Sequence, residues 1–233
     1  MITGISYFGG KSGSGTYQTI INQIPPHTTY VEGFAGMAGI FRRKLPAKES
    51  LLVEVDKETI ARLVEIGINR EMIYEGSMLE VLDIFRSTLD QPDVFLYLDP
   101  PYPRDSRKSD TVYRHELTHD NHVLLLKLIR SYQRAKIAIS TYPNQMYAHR
   151  LKDWRSIEFD SQTRRGRATE VLIMNYPEPD ELHDYRYLGS DYRERERITR
   201  KLNRWQNKFS ELAPLEQKAM IQRLTTSLDP TAI

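Results

Sequence analysis

The stretch Val94-Phe95-Leu96-Tyr97-Leu98-Asp99-Pro100-Pro101-Tyr102 runs an apolar and aromatic segment into a carboxylate, two prolines and a final ring. A short apolar run bounded by turn residues reads as a buried strand. The prolines end it, because neither has an N–H for a sheet ladder. A carboxylate just past such a strand sits where open α/β sheets bind ligands. Pro and Asp are also ordinary turn residues, so the tetrapeptide gains meaning only from what surrounds it.

Before it, residues 28–32 read as a strand entering the small-residue turn Gly33-Phe34-Ala35-Gly36-Met37-Ala38-Gly39, with a short helix expected before Pro46. Residues 51–55 form a second strand carrying Glu54 near its end and Asp56 just past it, residues 58–66 a helix stopped by Gly67, and residues 78–89 an amphipathic helix. After it come a polar loop over 103–110 and a helix over about 121–134, with Val123, Leu124, Leu126, Leu128 and Ile129 as its apolar content. Strands at 137–139, 157–159 and 171–176 follow. Strands alternating with helices indicate a Rossmann-like α/β fold, a doubly wound and mostly parallel sheet. Pro177-Glu178-Pro179-Asp180-Glu181 breaks the pattern, which places a sheet domain at 1–178 and a helical extension at 179–233.

With 233 residues and 39% hydrophobic content, the chain can bury one substantial core, or a core and a small appendage. No apolar run approaches the roughly 18 residues of a membrane span. The amino terminus lacks the charged-then-apolar pattern of a secretory signal, so a cytoplasmic location is expected. The chain has no cysteine. That excludes a thiolate nucleophile, a zinc finger, the Cys-ligated zinc of nucleobase deaminases, and cytosine C5 methylation through a Cys adduct. The net charge of +2 is too small to demand a polyanionic partner. The positive charge is concentrated, however: residues 193–208 hold seven Lys or Arg against two Glu. As a helix, this segment aligns Ile198, Leu202, Trp205, Phe209 and Leu212 in one apolar seam. Arg193, Arg197, Arg200, Lys201, Arg204 and Lys208 fall largely on the opposite face, suited either to solvent or to nucleic-acid phosphates.

Tyr7-Phe8-Gly9-Gly10-Lys11-Ser12 invites a phosphate-loop reading, but that motif needs a glycine where Ile5 stands; Gly4 is one residue too early. Glu32-Gly33-Phe34-Ala35-Gly36 permits a tight turn at a strand end but lacks dinucleotide-site spacing. Glu54, ending the next strand, is placed to accept ribose hydroxyls.

In order, the aromatic-x-Gly-Gly-Lys segment (Tyr7 to Lys11), the Phe-x-Gly turn (Phe34 to Gly36), the acid Glu54 with Asp56 as second candidate, and Asp-Pro-Pro-Tyr (Asp99 to Tyr102) resemble the Dam-type, or D12-class, DNA amino-methyltransferases. The likeness continues through Tyr113-Arg114-His115-Glu116, Ile139-Ser140-Thr141-Tyr142 and Glu170 to Tyr176, and covers about residues 5–176. It implies a class I methyltransferase fold and S-adenosylmethionine as methyl donor, with S-adenosylhomocysteine as product and no metal. It places Tyr7, Lys11, Glu32, Phe34, Gly36, Glu54, Asp56 and Asp99 around the donor and makes Asp99, Pro100 and Tyr102 catalytic.

The tetrapeptide chemistry also follows from the residues themselves. An exocyclic base amine is a poor nucleophile because its lone pair is delocalised into the ring. The Asp99 carboxylate and Pro100 carbonyl can accept its hydrogens and localise that lone pair, while Tyr102 offers a ring for stacking. The base must leave the helix to reach them.

One departure from the family pattern is clear. Only 42 residues separate Asp56 from Asp99, leaving no room for a separate recognition domain. Contact with double-stranded DNA therefore falls to Arg104, Arg107, Lys108 and Tyr113 in one loop, Arg164, Arg165 and Arg167 in another, and Arg197, Arg200, Arg204 and Lys208 in the extension. A short recognition site of about two to four base pairs, or a relaxed preference, is expected of so few reading groups. The sequence reads as an adenine-N6 DNA methyltransferase, monomeric or weakly dimeric, with any restriction partner invisible in the sequence. Cytosine N4 methylation, an RNA target and a catalytically silent nucleic-acid-binding module are the competing readings.

Overall fold

A computed structural model describes residues 11, 13, 15–107, 114–163 and 166–228. The chain divides into two compact units, residues 1–187 and 188–233. In the first, the strands are β1 (Thr29–Gly33), β2 (Glu49–Glu54), β3 (Ile73–Glu75), β4 (Val94–Leu98), β5 (Lys136–Thr141), β6 (Arg155–Thr163) and β7 (Gly166–Met174). They form one seven-stranded sheet in the order β3-β2-β1-β4-β5-β7-β6. Strands β1 to β5 pair in parallel, whereas β7 runs antiparallel to both β5 and β6. The sheet is therefore Rossmann-like and mostly parallel, as the alternation of strands and helices predicts.

Strand β4 lies at the centre with all five residues buried. Alternation sends Leu96 and Leu98 to one face and Phe95 and Tyr97 to the other. The first face packs with Leu125, Leu126, Ile129, Val81, Leu82 and Tyr147 from α5 (His119–Arg130), α3 (Met78–Ile84) and α6 (Gln145–Arg150). The second packs with Ile20 and Ile21 of α1 (Thr16–Ile21), Tyr30, Leu172 and Met174. A third cluster joins α2 (Lys57–Glu65), through Ile60 and Leu63, to Leu52 and Ile73. Both faces are covered, as a parallel sheet requires.

Several expected elements differ in detail. The helix expected before Pro46 is absent, and residues 36–43 form successive turns. Phe34, Gly36 and Ala38 have φ of 56°, 50° and 50°, which a right-handed helix cannot accommodate. The helix expected over 78–89 breaks at Phe85 into α3 and α4 (Arg86–Leu89). Helix α5 starts earlier than expected because Thr118 caps it, accepting from the Asn121 N–H while Asn121 reaches back to Thr118. It stops at Arg130, after which the Asp90 carboxylate takes the N–H groups of Gln133, Arg134 and Ala135. Its buried face carries Leu125, whereas Leu124 is exposed.

Beyond the Pro177–Glu181 break the chain stays on the first unit. The His183 N–H donates to Ile24, the Asp184 carboxylate accepts from the Leu45 N–H, and the Asn22 side chain donates to the Tyr187 carbonyl. The second unit holds α7 (Tyr192–Ser210) and α8 (Pro214–Leu228). Asp191 caps α7, no residue of which is buried, and Leu212 falls past its end.

Gly33 ends β1 in a space with no room for a side chain. A Cβ there would lie 2.7 Å from both Leu98 Cδ2 and Met78 Sδ. Gly33→Ala is expected to destabilise the fold by about 1–3 kcal/mol through overpacking. This would appear as a lower urea midpoint at unchanged slope, and a wild-type midpoint would contradict the packing.

Candidate active site

The strand order reverses between β1 and β4, so the chain leaves their carboxyl ends in opposite directions and opens a crevice there. Gly33 of β1 lies beside Leu98 of β4, and the Asp99 N–H donates to the Gly33 carbonyl across 3.2 Å. The glycine turn and the tetrapeptide, distant in sequence, thus share one end of the sheet.

On the β1 side, three left-handed residues fold the backbone tightly. The turn is held by the Ala35 N–H on Val53 (3.0 Å), the Ala38 N–H on Ala35 (2.7 Å) and the Gly36 N–H on Glu54 Oε2 (2.7 Å). A bulky residue such as Phe34 at φ 56° is strained, and such strain persists only where surrounding bonds impose it. Glu54 also accepts the N–H groups of Val55 and Asp56, at 2.8 and 2.9 Å. A carboxylate offers about four acceptor directions. With three occupied by backbone, Glu54 retains capacity for one hydroxyl rather than the pair the sequence suggested. Asp56 caps α2 and accepts from Glu58, Thr59 and Arg114.

Glu32 is buried beneath this turn and accepts the Tyr30 hydroxyl and the Phe41 N–H, each at 2.7 Å. Burial pushes its carboxyl up to about 7, against the pull of those hydrogen bonds.

On the β4 side, Lys11 reaches the tetrapeptide. Its ammonium donates to both Asp99 oxygens, at 2.6 and 2.8 Å, and lies 2.7 Å from the Tyr102 hydroxyl. Gly39 packs against the Lys11 backbone, where a Cβ would lie 3.4 Å away. The Tyr102 hydroxyl donates to Glu170 Oε2 at 2.6 Å, and the Lys11 ammonium stands 3.3 Å from the same oxygen. Glu170 was quoted in the family likeness but given no role by sequence reasoning. Its signal was its parity: it shares a strand face with Leu172 and Met174, both buried, so a charged side chain there needs a partner. Burial first, and then the negative Glu170, raise the Asp99 carboxyl to about 6, while Lys11 opposes them.

Tyr102 is placed otherwise than expected. Its ring is 3% exposed and packs edge-on against Tyr142 at 4.5 Å, so no face is open for a base. What it presents to the site is its hydroxyl. Tyr142, just past the end of β5, is half-buried.

Pro103 follows the tetrapeptide and opens a cavity of about 480 Å³, lined also by Arg104, Asp105, Glu116, Thr118, His122 and Met146. Arg107 does not project from this loop: its side chain is 4% exposed and both terminal nitrogens donate to Glu116, at 3.0 and 2.6 Å. Arg104 and Arg167 are exposed. In the second unit, Arg197, Arg200, Arg204 and Lys208 are all exposed, with Arg197 and Arg200 paired to Glu194 and Glu196 on the same helix. Leu202 and Trp205 of the expected seam are 55% and 58% exposed. Tyr7, Lys108, Tyr113, Arg164 and Arg165 lie outside the described residues. Among the described residues, no cluster of His, Asp or Glu is arranged to hold a metal ion, and no helix is long and apolar enough to cross a membrane.

No protein-family model matches the chain, and no curated protein matches it in sequence. Among solved structures, it is similar to M. capricolum TrmK in complex with S-adenosylhomocysteine, at 7% identity and a TM-score of 0.42, over 90% of this chain and 93% of that one. It is also similar to an rRNA methylase from Streptococcus thermophilus, at 10% identity and a TM-score of 0.42, over 69% of this chain and 92% of the other. For the S. pombe Dnmt2 methyltransferase the figures are 9% and 0.47, over 65% and 52%. At these identities and scores, no activity passes from those proteins to this chain.

The Glu32 carboxyl yields a pH prediction. The folded state keeps a proton up to about pH 7, whereas the unfolded chain loses it near 4.5. The stability this group contributes is therefore full below the lower value and falls as pH rises through the window between them. Glu32→Gln removes the titration, so the variant should lose less stability than wild type across that window in thermal melts. Parallel curves would contradict the burial argument.

Proposed function

We propose that the chain is an S-adenosylmethionine-dependent methyltransferase acting on the exocyclic N6 of adenine in double-stranded DNA. The observation that carries this reading is the Asp99 carboxylate, held at the sheet's switch point between Lys11 and Tyr102 with its side chain still 19% exposed. It is a buried acceptor with an open side, which an amine nucleophile needs and a purely structural ion pair does not.

The donor set fits a cationic donor bearing ribose. Glu32, Asp99 and Glu170 are buried or nearly so, and Lys11 is the ammonium in contact with the latter two. An excess of negative charge in a low-dielectric site favours a positively charged ligand group. Glu54 has capacity for one ribose hydroxyl, and the Phe34–Gly36 turn brings backbone close to the pocket. When bound, S-adenosylmethionine supplies a methyl group on a positively charged sulfur.

The residues of the chain do the rest. Lys11 takes one acceptor direction on each Asp99 oxygen, and the Tyr102 hydroxyl, with its proton on Glu170, only approaches Oδ1 at 3.3 Å, leaving directions for an amine hydrogen. The Pro100 carbonyl accepts the second hydrogen, and the two bonds localise the nitrogen lone pair. As the nitrogen gains the methyl it sheds a proton, which Asp99, with its carboxyl near 6, is suited to receive. Most of the acceleration then comes from orientation and fixed charge rather than from a strong base. The half-buried Tyr142 is the aromatic residue beside the tetrapeptide that an extruded base would stack on, a contact worth roughly 1–3 kcal/mol. Arg104 and Arg167 supply local contacts, and the α7 cations a sequence-independent attraction to phosphates that weakens with salt.

Asp99→Ala is the direct test. With a tritiated donor and duplex DNA, the variant should transfer no methyl while binding S-adenosylhomocysteine within about tenfold of wild type, since only one contact of many is lost. Near-wild-type turnover would overturn the assignment.

A further inference from the structure

The Lys11 ammonium has two carboxylates to serve. It lies on both oxygens of Asp99 and, 3.3 Å away, beside Oε2 of Glu170, the oxygen that also receives the Tyr102 hydroxyl. The Tyr102 hydroxyl in turn approaches Asp99 Oδ1. The side chains of Lys11 and Glu170 are 4% and 7% exposed, so water screens neither contact effectively. Glu170 comes from β7, which pairs with β5 and not with β4, so its approach to the tetrapeptide is made by side chains alone.

We propose that Glu170 is a positioning residue, a second berth for the Lys11 ammonium that competes with Asp99 for it and so sets how much of the Asp99 carboxylate is available to the target amine. This rests on the function proposed above and adds a residue to it. With Lys11 wholly on Asp99, each oxygen keeps a free acceptor direction but is weakened as an acceptor by the cation it already holds. A shift of the ammonium toward Glu170, along the Tyr102 hydroxyl that already links the carboxylates, releases one Asp99 oxygen without leaving a buried charge unpaired. Glu170 thus allows Lys11 to stay charged and buried through both arrangements.

The groups facing Asp99 are Lys11, Tyr102 and Glu170, with Glu32 on β1 and Tyr97 on β4 close enough to act through charge. Glu170 raises the Asp99 carboxyl and Lys11 lowers it. Neutralising Glu170 therefore has a sign: Lys11 settles on Asp99 alone, and the Asp99 midpoint falls.

The test is a carboxyl-carbon NMR titration of Asp99 in the donor-free protein, comparing wild type with Glu170→Gln. The midpoint should fall by about one pH unit, as expected on losing a close like charge. In single-turnover methyl transfer, the acid limb should move the same way, the rate at its plateau should fall about tenfold or more as for a lost transition-state contact, and Glu170→Asp should restore part of it. An unchanged midpoint overturns the proposal whatever the protein methylates. Should Glu170→Gln fail to fold, Glu170→Asp serves: drawing the second carboxylate back from the cluster should lower the Asp99 midpoint by a smaller amount, and no change would overturn the proposal. Wild-type protein that transfers methyl to no nucleic acid, with the midpoint displaced as expected, would refute the proposed function and leave the competition between the carboxylates established.

Discussion

One ammonium, that of Lys11, is buried between carboxylates supplied by two different strands, and the geometry of the site follows from satisfying it. An isolated charge at this depth would cost several kcal/mol, and Asp99, Tyr102 and Glu170 together meet that cost for Lys11. The same requirement fixes Asp99. Both of its oxygens are held by the Lys11 ammonium, which keeps the carboxylate at the crevice. The fold provides the meeting place: the reversal of strand order between β1 and β4 leaves a gap, and the antiparallel β7 brings Glu170 to its far wall.

The β1 side is organised by backbone rather than charge. Gly33 lets Leu98 and Met78 close over the strand end, and the left-handed residues that follow turn the chain back sharply enough for Gly36 to reach Glu54. Glu54 is a structural clamp, since most of its acceptor capacity is spent on N–H groups of the turn and of the α2 entry. Loss of this residue would disturb the turn as well as any hydroxyl contact, whereas loss of Asp99 leaves Lys11 with Glu170 as a partner. The two sides of the crevice are coupled through the β1–β4 register, and also through Glu32, whose charge acts on the same cluster from beneath.

The sheet was legible in the sequence because its strands are short apolar stretches alternating with helices, and β4, apolar throughout and followed by prolines, announced both a strand and its end. Strand β3 has only three residues and escaped notice, since so short a run carries no periodicity. The turns after β1 were misread as a helix because composition allows one; only the signs of φ at Phe34 and Ala38, which no side chain dictates, exclude it. The motifs that hold Lys11, Glu54 and Asp99 were legible as an ordered set, and the fold brings Lys11 onto Asp99. The role of Tyr102 was not legible, because a stacking ring and a buried hydroxyl donor are the same letter. Glu170 was passed over because its partners lie far away in the chain, and only the sheet order brings them together.

The central claim is that the crevice presents Asp99 to the N6 amine of an adenine. The most direct measurement is mass spectrometry of nucleosides from duplex DNA incubated with the protein and S-adenosylmethionine. The account predicts N6-methyladenine as the modified nucleoside. N4-methylcytosine in its place, or no methylated nucleoside at all from a protein that binds the donor, would contradict it.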